Sequence, residues 1–268
     1  MKSDKELGKI ATKVRKEILM MSYKAQVGHV GSSYSIVEIL IELYFRILRV
    51  NHASPKMPSR DRFILSKGHA APALYAVLKE RGFLSQKHLN QYCRDGGLLE
   101  EHPSHTVNGI EVSTGSLGHG LSIGIGMALA AKIKKSTYKV FVLLSDAECD
   151  EGETWEAILS AAHHNLDNLI VYLDYNKVQA LGKKIDILNI EPLTNKWEAF
   201  GWSVAEADGH DFASLHNAYL SILQTGNPKV VICHTVRGKG VSFMEHVTEW
   251  HYLNPTKQHV RKALRELR

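Results

Sequence analysis

The segment 140–178 constrains the fold of this chain more than any other stretch. It reads VFVLLSDAECDEGETWEAILSAAHHNLDNLIVYLDYNKV. Apolar runs at 140–144 and 169–173 flank an acidic turn and a helical pattern from Glu153 to about His164. A strand, a helix and a second strand of this length form one parallel crossover unit. The chain is therefore expected to build an α/β fold around this unit.

The rest of the chain continues the alternation of strands and helices. Further strands are predicted at 62–65, 202–205 and 229–235. Further helices are predicted at 4–24, 35–47, 71–81, 86–93, 121–133, 193–200, 213–223 and 257–268. This alternation favours a mostly parallel sheet with helices on both faces. No repeat or linker composition interrupts it, so residues 1–268 are predicted to form one domain.

Two capping-box spacings mark the predicted starts of the first two helices. Ser3 and Glu6 precede the first helix, and Ser35 and Glu38 precede the second. Between these helices, residues 26–33 (QVGHVGSS) are expected to form a glycine-rich turn.

Composition excludes several classes of protein. The net charge of +5 is modest, and nucleic-acid binding would need a clustered basic patch. The short basic tail 257–268 instead fits a solvated helix with Val260, Leu264 and Leu267 on one face. No apolar run approaches the ~18 residues of a membrane span, and the N-terminus lacks the apolar core of a signal peptide. We therefore expect neither a nucleic-acid nor a membrane partner.

The cysteines indicate the compartment. There are three of them, far apart in the sequence, so a disulfide framework is not expected. An odd number of separated thiols is typical of a reducing compartment, and a cytoplasmic location is predicted.

Polar residues follow both strands of the crossover unit. Asp146 and Asn176 each stand where a strand ends, and open α/β sheets bind ligands beyond the carboxyl ends of their strands. A carboxylate, an amide oxygen and a backbone carbonyl suit Mg²⁺ or Ca²⁺. The helix that begins after Glu151 would favour a phosphate group at its N-terminus. These residues indicate a metal-bridged diphosphate site; an ordinary crossover with acidic turns is the alternative.

Histidine is abundant, with fifteen residues. His29, His69, His102 and His251 stand in loops beside glycine, proline or tryptophan. Each alone is typical of a structural histidine, but together near a phosphate site they are candidates for binding phosphate and moving protons. The glycines at 118–126 lack the strand and spacing of a dinucleotide loop. The pairs 102/105 and 163/164 lack partners at a zinc-site spacing.

Several ordered motifs resemble the N-terminal, diphosphate-binding domain of transketolases, which are thiamine-diphosphate enzymes that transfer two-carbon ketol units. The similarity covers nearly the whole chain. The motifs are GHVGSS (28–33), LSKGHA (65–70), EHP (101–103), TGSLGHGLSIGIGMA (114–128), DAECDEG (146–152), WEA (155–157), NLIVYLDYN (168–176), DGHD (208–211) and TVRGKGVSFME (235–245).

The resemblance implies roles for individual residues. It implies that Mg²⁺ (or Ca²⁺ or Mn²⁺) is held by Asp146, Asn176 and the carbonyl of Val178. It implies contacts to thiamine diphosphate from His69, Gly115, Ser116, Leu117, Asp146, Ala147, Glu148, Asn176 and His251. As catalytic residues it implies His29 and His102, which would bind substrate hydroxyls and relay protons, His251, which would lie near the diphosphate, and Glu151, which would couple two active sites.

The chain departs from the family pattern at three positions. Ser145 and Ala147 flank the aspartate where the family usually has glycines. The methyl group of Ala147 would be costly only if its backbone φ were positive, by about 1 kcal/mol or more. Tyr252 stands where a glycine usually follows the histidine, and it is expected to narrow the entrance and alter substrate choice.

The resemblance also implies a partner. The chain stops near where the first transketolase domain would end. We therefore expect the N-terminal subunit of a split transketolase, in an α2β2 heterotetramer with a separate C-terminal subunit. The implied reaction carries a two-carbon ketol unit from a ketose or ketose phosphate to an aldehyde. Two alternatives are open: transfer from a 2-oxo acid such as pyruvate, and a non-catalytic role in assembly or regulation.

Overall fold

Five parallel strands form the centre of the structure, a computed structural model that describes residues 2–268. The strands are β1 (Arg62–Leu65), β2 (Val140–Ser145), β3 (Leu169–Tyr175), β6 (Ser203–Asp208) and β7 (Lys229–His234), and β4 (Val178–Gln179) and β5 (Gly182–Lys183) form a small hairpin. The order in the large sheet is β1-β2-β3-β7-β6. The predicted crossover unit, β2 and β3, lies side by side with Ser145 opposite Asp174.

Helices connect these strands and cover both faces of the sheet. They are α1 (Asp4–Ala25), α2 (Val30–Tyr34), α3 (Val37–Glu42), α4 (Ala71–Glu80), α5 (Gln86–Asn90), α6 (His119–Ile133), α7 (Gly152–His163), α8 (Lys184–Ile187), α9 (Leu193–Ala199), α10 (Phe212–Ile222) and α11 (Lys257–Glu266). A π-helical turn, Leu43–Ile47, continues α3. The predicted α/β fold with a parallel sheet is confirmed.

The two faces of the sheet carry separate apolar cores. Successive strand residues point to opposite faces, so Ile170 and Tyr172 of β3 pack with α1, α3, α4 and α10. Val171 and Leu173 pack with α6, α7 and α9 on the other face. Strands buried on both faces read as continuous apolar runs, which explains why β2 and β3 were the clearest signals in the sequence.

Helix α6 packs closely on the sheet, as its small residues predict. A Cβ added at Gly124 would lie 2.6 Å from Cγ2 of Val142 in β2. Only glycine therefore permits this helix-to-strand distance.

Three local predictions were wrong. The turn predicted over 26–33 ends early, because α2 begins at Val30. Ser35 does not cap α3, whose N-cap is Ile36, because Glu38 points inward to Arg15 instead. In α11 Leu264 is exposed, and Ala263 faces the core beside Val260.

Among residues 2–268, no helix has the length and apolar character needed to cross a membrane.

Candidate active site

A cavity of about 340 Å³ lies where β2 and β3 end. Eleven of the predicted site residues line it: His29, His69, His102, Gly115, Leu117, Asp146, Ala147, Glu151, Asn176, Val178 and His251. They come from loops along nearly the whole chain. The parallel sheet brings these loops together because all of its strands end at the same edge.

Among the acidic residues of 2–268 that line this cavity, only Asp146 is completely buried. Its Oδ2 accepts a hydrogen bond from the backbone N–H of Lys177 at 2.7 Å. Its Oδ1 is buried and has no hydrogen-bond partner within residues 2–268. Burial and the nearby Asp174 carboxylate raise the pKa of Asp146 to about 7. An unpaired buried carboxylate is costly unless a cation compensates it, so this oxygen is a candidate cation ligand.

Asn176 is oriented by its neighbours. Its Nδ2 donates to Oδ2 of Asp174 at 2.9 Å, and its Oδ1 accepts from the backbone N–H of Val178 at 3.0 Å. An amide oxygen has two lone pairs, so Oδ1 keeps one acceptor position on the cavity side. The Val178 carbonyl lies on the same wall.

Asp174 supports this edge without lining the cavity. It is completely buried, and its carboxylate accepts from Lys67 Nζ at 2.5 Å and from Ser35 Oγ at 2.8 Å. Thr235 Oγ1 and Asn176 Nδ2 also donate to it. Burial alone would raise the pKa of Asp174, but Lys67 and the hydroxyl donors lower it below its ordinary value.

Two buried cations of the cavity wall were missed from the sequence, Lys67 and Arg237. Arg237 donates to the carbonyls of Val178 and Gln179 at 3.3 and 3.2 Å and to Oγ of Ser32 at 3.1 Å. Its Nε–H is buried without a partner within the described chain. One signal in the sequence points to these residues, which is that they lie inside the motifs SKGHA and TVRGKG. No acidic residue nearby in the sequence indicates a partner for either of them.

Three imidazole rings form one side of the cavity. The ring centroids of His29, His69 and His251 are 4.9 to 5.4 Å apart. Burial and then Arg237 lower the pKa of His251 to about 3. Burial and then Lys67 lower the pKa of His69 well below its ordinary value. These rings are therefore neutral at physiological pH and can each donate or accept a hydrogen bond.

The departures at 147 and 252 both lie on the cavity wall. Ala147 belongs to the 3-10 turn Asp146–Asp150 and is not among the residues with positive φ. Its methyl group therefore causes no left-handed backbone strain. Tyr252 is 64% exposed, and its ring lies 6.2 Å from that of His29 and 4.6 Å from that of His251.

Two predicted residues lie elsewhere. Glu148 is completely buried and accepts hydrogen bonds from the backbone N–H groups of Ser145 at 2.8 Å and Gly118 at 3.1 Å. It joins the end of β2 to the start of α6, so the predicted cofactor contact is corrected to a structural one. Ser116 is exposed and lines a separate small cavity with Thr114 and Ile123.

A larger cavity of about 590 Å³ lies beside the hairpin and is lined by residues of 175–194, Glu206, Ile232 and His234. Its wall contains none of the clustered histidines and no unpartnered buried acceptor. The smaller cavity is therefore the better candidate for chemistry.

The residues of the smaller cavity fit a divalent cation held together with an anion. Within residues 2–268, no three His, Cys, Asp or Glu side chains are grouped to hold a metal. Asp146 Oδ1, Asn176 Oδ1 and the Val178 carbonyl are hard oxygen donors, and a hard cation would take its remaining ligands from water or phosphate. The Arg237 Nε–H and the buried Lys67 ammonium favour an anion at the same place.

Comparisons with known proteins identify the family of this chain. The family profile described as transketolase, thiamine diphosphate binding domain, matches residues 9–266. The chain is 42% identical over 256 residues to one of the subunits of apulose-4-phosphate transketolase from Phocaeicola vulgatus, covering 95% of this chain and 91% of that protein. It is 40% identical to 6-deoxy-6-sulfo-D-fructose transketolase subunit SqwG of a Clostridium species, covering 96% and 94%.

Solved structures agree in fold. Transketolase from Campylobacter jejuni superposes with a TM-score of 0.94 at 28% identity, covering 99% of this chain and 43% of that one. Transketolase from Leishmania mexicana gives 0.90 at 26% identity, covering 100% and 41%. This chain thus spans about two fifths of these solved transketolases and more than nine tenths of the subunit relatives. The chain therefore belongs to the transketolase family, and it corresponds to the thiamine-diphosphate-binding domain of that family.

Proposed function

We propose that this chain is the N-terminal subunit of a two-chain transketolase and that residues 1–268 form its diphosphate-binding domain alone. A separate C-terminal subunit completes the active site in an α2β2 assembly. This proposal is supported by relatives named as subunits, of whose lengths the chain covers 91% and 94%. The reaction transfers a two-carbon ketol unit from a ketose or ketose phosphate to an aldehyde.

The single observation that carries the proposal is the unpartnered Oδ1 of Asp146 in a cavity that also contains Arg237. Asp146, Asn176 and the Val178 carbonyl would hold Mg²⁺. The Arg237 Nε–H, His69 and the backbone at Ala147 would bind the diphosphate oxygens. Arg237 is worth about 1.5–3 kcal/mol as a charge-assisted donor.

When bound, thiamine diphosphate supplies the electron sink for breaking and forming the carbon–carbon bond. The chain's own residues supply positioning and proton transfer. His29 and His102 would bind substrate hydroxyls and relay protons, and His251 would lie near the diphosphate. Burial lowers the pKa of His29 and of His251, so these two imidazoles are neutral near pH 7. Glu151, the N-cap of α7, lines the cavity and is the proposed link to the second active site.

Two measurements test the proposal. Calorimetry would titrate thiamine diphosphate into the chain mixed with a C-terminal transketolase subunit, in MgCl₂ and in EDTA. Product analysis would then compare a ketose phosphate plus an aldehyde with pyruvate plus the same aldehyde. We expect Mg²⁺-dependent binding and ketol transfer from the ketose phosphate. Product from pyruvate plus the aldehyde, and none from the ketose phosphate, would show that the donor is a 2-oxo acid. Failure of the assembled complex to bind thiamine diphosphate would contradict the cofactor role.

We also propose a cytoplasmic location. It is supported by the free thiols of Cys93, Cys149 and Cys233, because such thiols persist in reducing compartments.

A further inference from the structure

A carboxylate without an assigned role, Glu101 of the motif EHP, lies against the histidine cluster. Glu101 Oε1 is 3.1 Å from Nδ1 of His29. The side chain of Glu101 is 42% exposed and that of His29 is 16% exposed. The pair therefore connects the cavity wall, which includes His29, with the more exposed surface at Glu101.

We propose that Glu101 is a positioning residue for His29: its carboxylate holds the Nδ1–H, and the Nε2 lone pair is thereby presented to a substrate hydroxyl in the cavity. This inference rests on the proposed function, since it assumes that a hydroxylated substrate enters the cavity. Glu101 belongs to the motif EHP (101–103), but the resemblance implied no role for it.

The ring of His29 is fixed from several directions. Its backbone has φ +64°, and its N–H donates to the His251 carbonyl at 3.0 Å. A non-glycine residue in the left-handed region persists only where its surroundings hold it. The ring lies 5.1 Å from that of His69 and 4.9 Å from that of His251. With Glu101 on Nδ1, the orientation of the ring is determined.

The partner on one ring nitrogen decides the chemistry of the other. An ionised carboxylate only accepts hydrogen bonds, so Nδ1 of His29 must carry the proton. Nε2 then has the lone pair, since the side-chain hydrogen bond of His29 within residues 2–268 is the one at Nδ1. His29 lines the cavity, and the neutral ring offers that lone pair to a substrate O–H.

The groups around His29 set its protonation. Burial lowers the pKa of His29, Glu101 opposes this, and His102 and Arg237 lower it further. The neutral rings of His69 and His251 and the phenol ring of Tyr252 also face it. Glu101 is the one carboxylate among these groups, so it alone can compensate a positive charge that forms on His29.

The proton step balances within this arrangement. The substrate O–H bond breaks, the N–H bond at Nε2 of His29 forms, and the electron pair stays on the substrate oxygen. The resulting imidazolium keeps its Nδ1–H on Glu101, which remains ionised. The proton returns from Nε2 to oxygen when the transfer reverses. A carboxylate that orients a histidine and stabilises its cation is an established catalytic arrangement.

The test compares three variants of the full chain. Glu101→Ala removes the acceptor, Glu101→Gln keeps an acceptor but removes the charge, and Glu100→Ala is the control. Glu100 is the exposed neighbour, and its one hydrogen bond within residues 2–268 is from the Tyr75 hydroxyl to its backbone carbonyl. Nitrogen-15 NMR of histidine-labelled chain would report the tautomer and titration of His29, whose signal is identified by its loss in His29→Asn.

In the wild type and Glu100→Ala we expect the Nδ1–H tautomer. Glu101→Gln should keep this tautomer with a lower His29 pKa, and Glu101→Ala should shift the ring toward Nε2–H. An unchanged tautomer and unchanged titration in Glu101→Ala would overturn the inference. The NMR needs no cofactor or partner, so absence of ketol transfer by the wild-type complex would contradict the proposed function and leave this result standing.

In the assembled enzyme the expected loss of kcat/KM is about 10-fold for Glu101→Gln and about 100-fold for Glu101→Ala. The acidic limb of the pH profile should move to lower pH in both, because the base titrates at lower pH. A purely structural role of Glu101 would lower the amount of folded enzyme but leave that limb in place, and this outcome would also contradict the proposal.

Discussion

Asp146 and Asp174 are two completely buried carboxylates at the ends of neighbouring strands, and of the two only Asp174 forms an ion pair within residues 2–268. Ser145, which precedes Asp146, is paired in register with Asp174. Lys67 and three further donors saturate Asp174. One strand therefore ends in a satisfied structural pair, and the other is followed by a buried carboxylate whose Oδ1 has no partner within residues 2–268.

The first prediction concerns the carboxylate of Asp146, whose Oδ1 has no partner within residues 2–268. Asp146→Asn should weaken Mg²⁺-dependent thiamine diphosphate binding by at least about 100-fold, because it removes a charged metal ligand. Calorimetry on the assembled complex measures this. Asp150→Asn is the matched control, since Asp150 lines the same cavity but is already paired with Lys184. Equal affinity of wild type and Asp146→Asn would exclude Asp146 as a ligand.

The second prediction concerns the buried ion pair of Lys67 and Asp174. Asp174→Asn and Lys67→Met should each lower the free energy of unfolding by about 3 kcal/mol, because each leaves a buried partner uncompensated. The double variant should lose less than the sum of the two. Urea unfolding measures these values. The exposed pair Lys132 and Asp167 provides the control cycle, with a coupling below about 1 kcal/mol. Additive losses at 67 and 174 would argue against the pair as a unit.

The third prediction concerns Ala147. Its φ is not positive, so Ala147→Gly relieves no strain. Cofactor affinity should stay within about 2-fold, and stability should fall by up to about 1 kcal/mol because glycine loses more backbone entropy on folding. Calorimetry and urea unfolding check the two parts. If Ala147→Gly bound the cofactor more than about 10-fold more tightly, this would support the alternative of a non-catalytic subunit that binds little cofactor.

The fourth prediction concerns the entrance. Tyr252→Ala should shift the ratio of kcat/KM toward the longer of two aldehyde acceptors by about 10-fold, because a 64% exposed ring is removed from the wall. Cofactor affinity should not change. Leu253→Ala is the control, because Leu253 is also exposed but does not line the cavity. An unchanged acceptor ratio would remove Tyr252 from substrate selection.

The fifth prediction concerns acid stability. Burial alone would raise the pKa of Glu38, but Arg15 and His210 outweigh it and lower the pKa to about 2. The unfolded chain has the ordinary value of 4.5, so Glu38 contributes stability above pH 4.5 that is lost as the pH falls toward 2. The contribution is about 3 kcal/mol.

Urea unfolding at pH 7, 4 and 3 would measure this contribution. Glu38→Gln should be less stable than wild type at pH 7, and the difference should shrink on acidification. Glu198→Gln, an exposed carboxylate outside any ion pair of residues 2–268, should behave as wild type at each pH. A constant difference between Glu38→Gln and wild type would contradict the assigned pKa.

Sequence patterns predicted the sheet and its polar edge because both depend on local order. Runs such as 140–145 and 169–175 are buried on both faces, and the polar residues that follow must lie at the carboxyl edge. The same logic placed Asp146 and Asn176. The wrong capping prediction has the same origin. Ser35 and Glu38 have the spacing of a capping box, but the side chain of Glu38 pairs with Arg15, which is distant in sequence.

Residues whose partners are far away in sequence were not predicted. Arg237 meets Ser32, 205 positions away, and Lys67 meets Asp174, 107 positions away. Glu101 pairs with His29 across 72 positions. A single sequence contains no signal for such pairings, because they arise only when the sheet brings loops together.

The wall of the cavity extends from His29 to Tyr252 and includes the ends of β2 and β3. No short fragment of the chain contains it, so the capacity to bind appears only when the sheet is assembled. Occupancy and folding are then linked equilibria, and a bound ligand at 100 times its Kd would add about 2.7 kcal/mol to the stability of the whole chain. Cofactor supply would thus change the fraction of this protein that is unfolded and open to proteolysis.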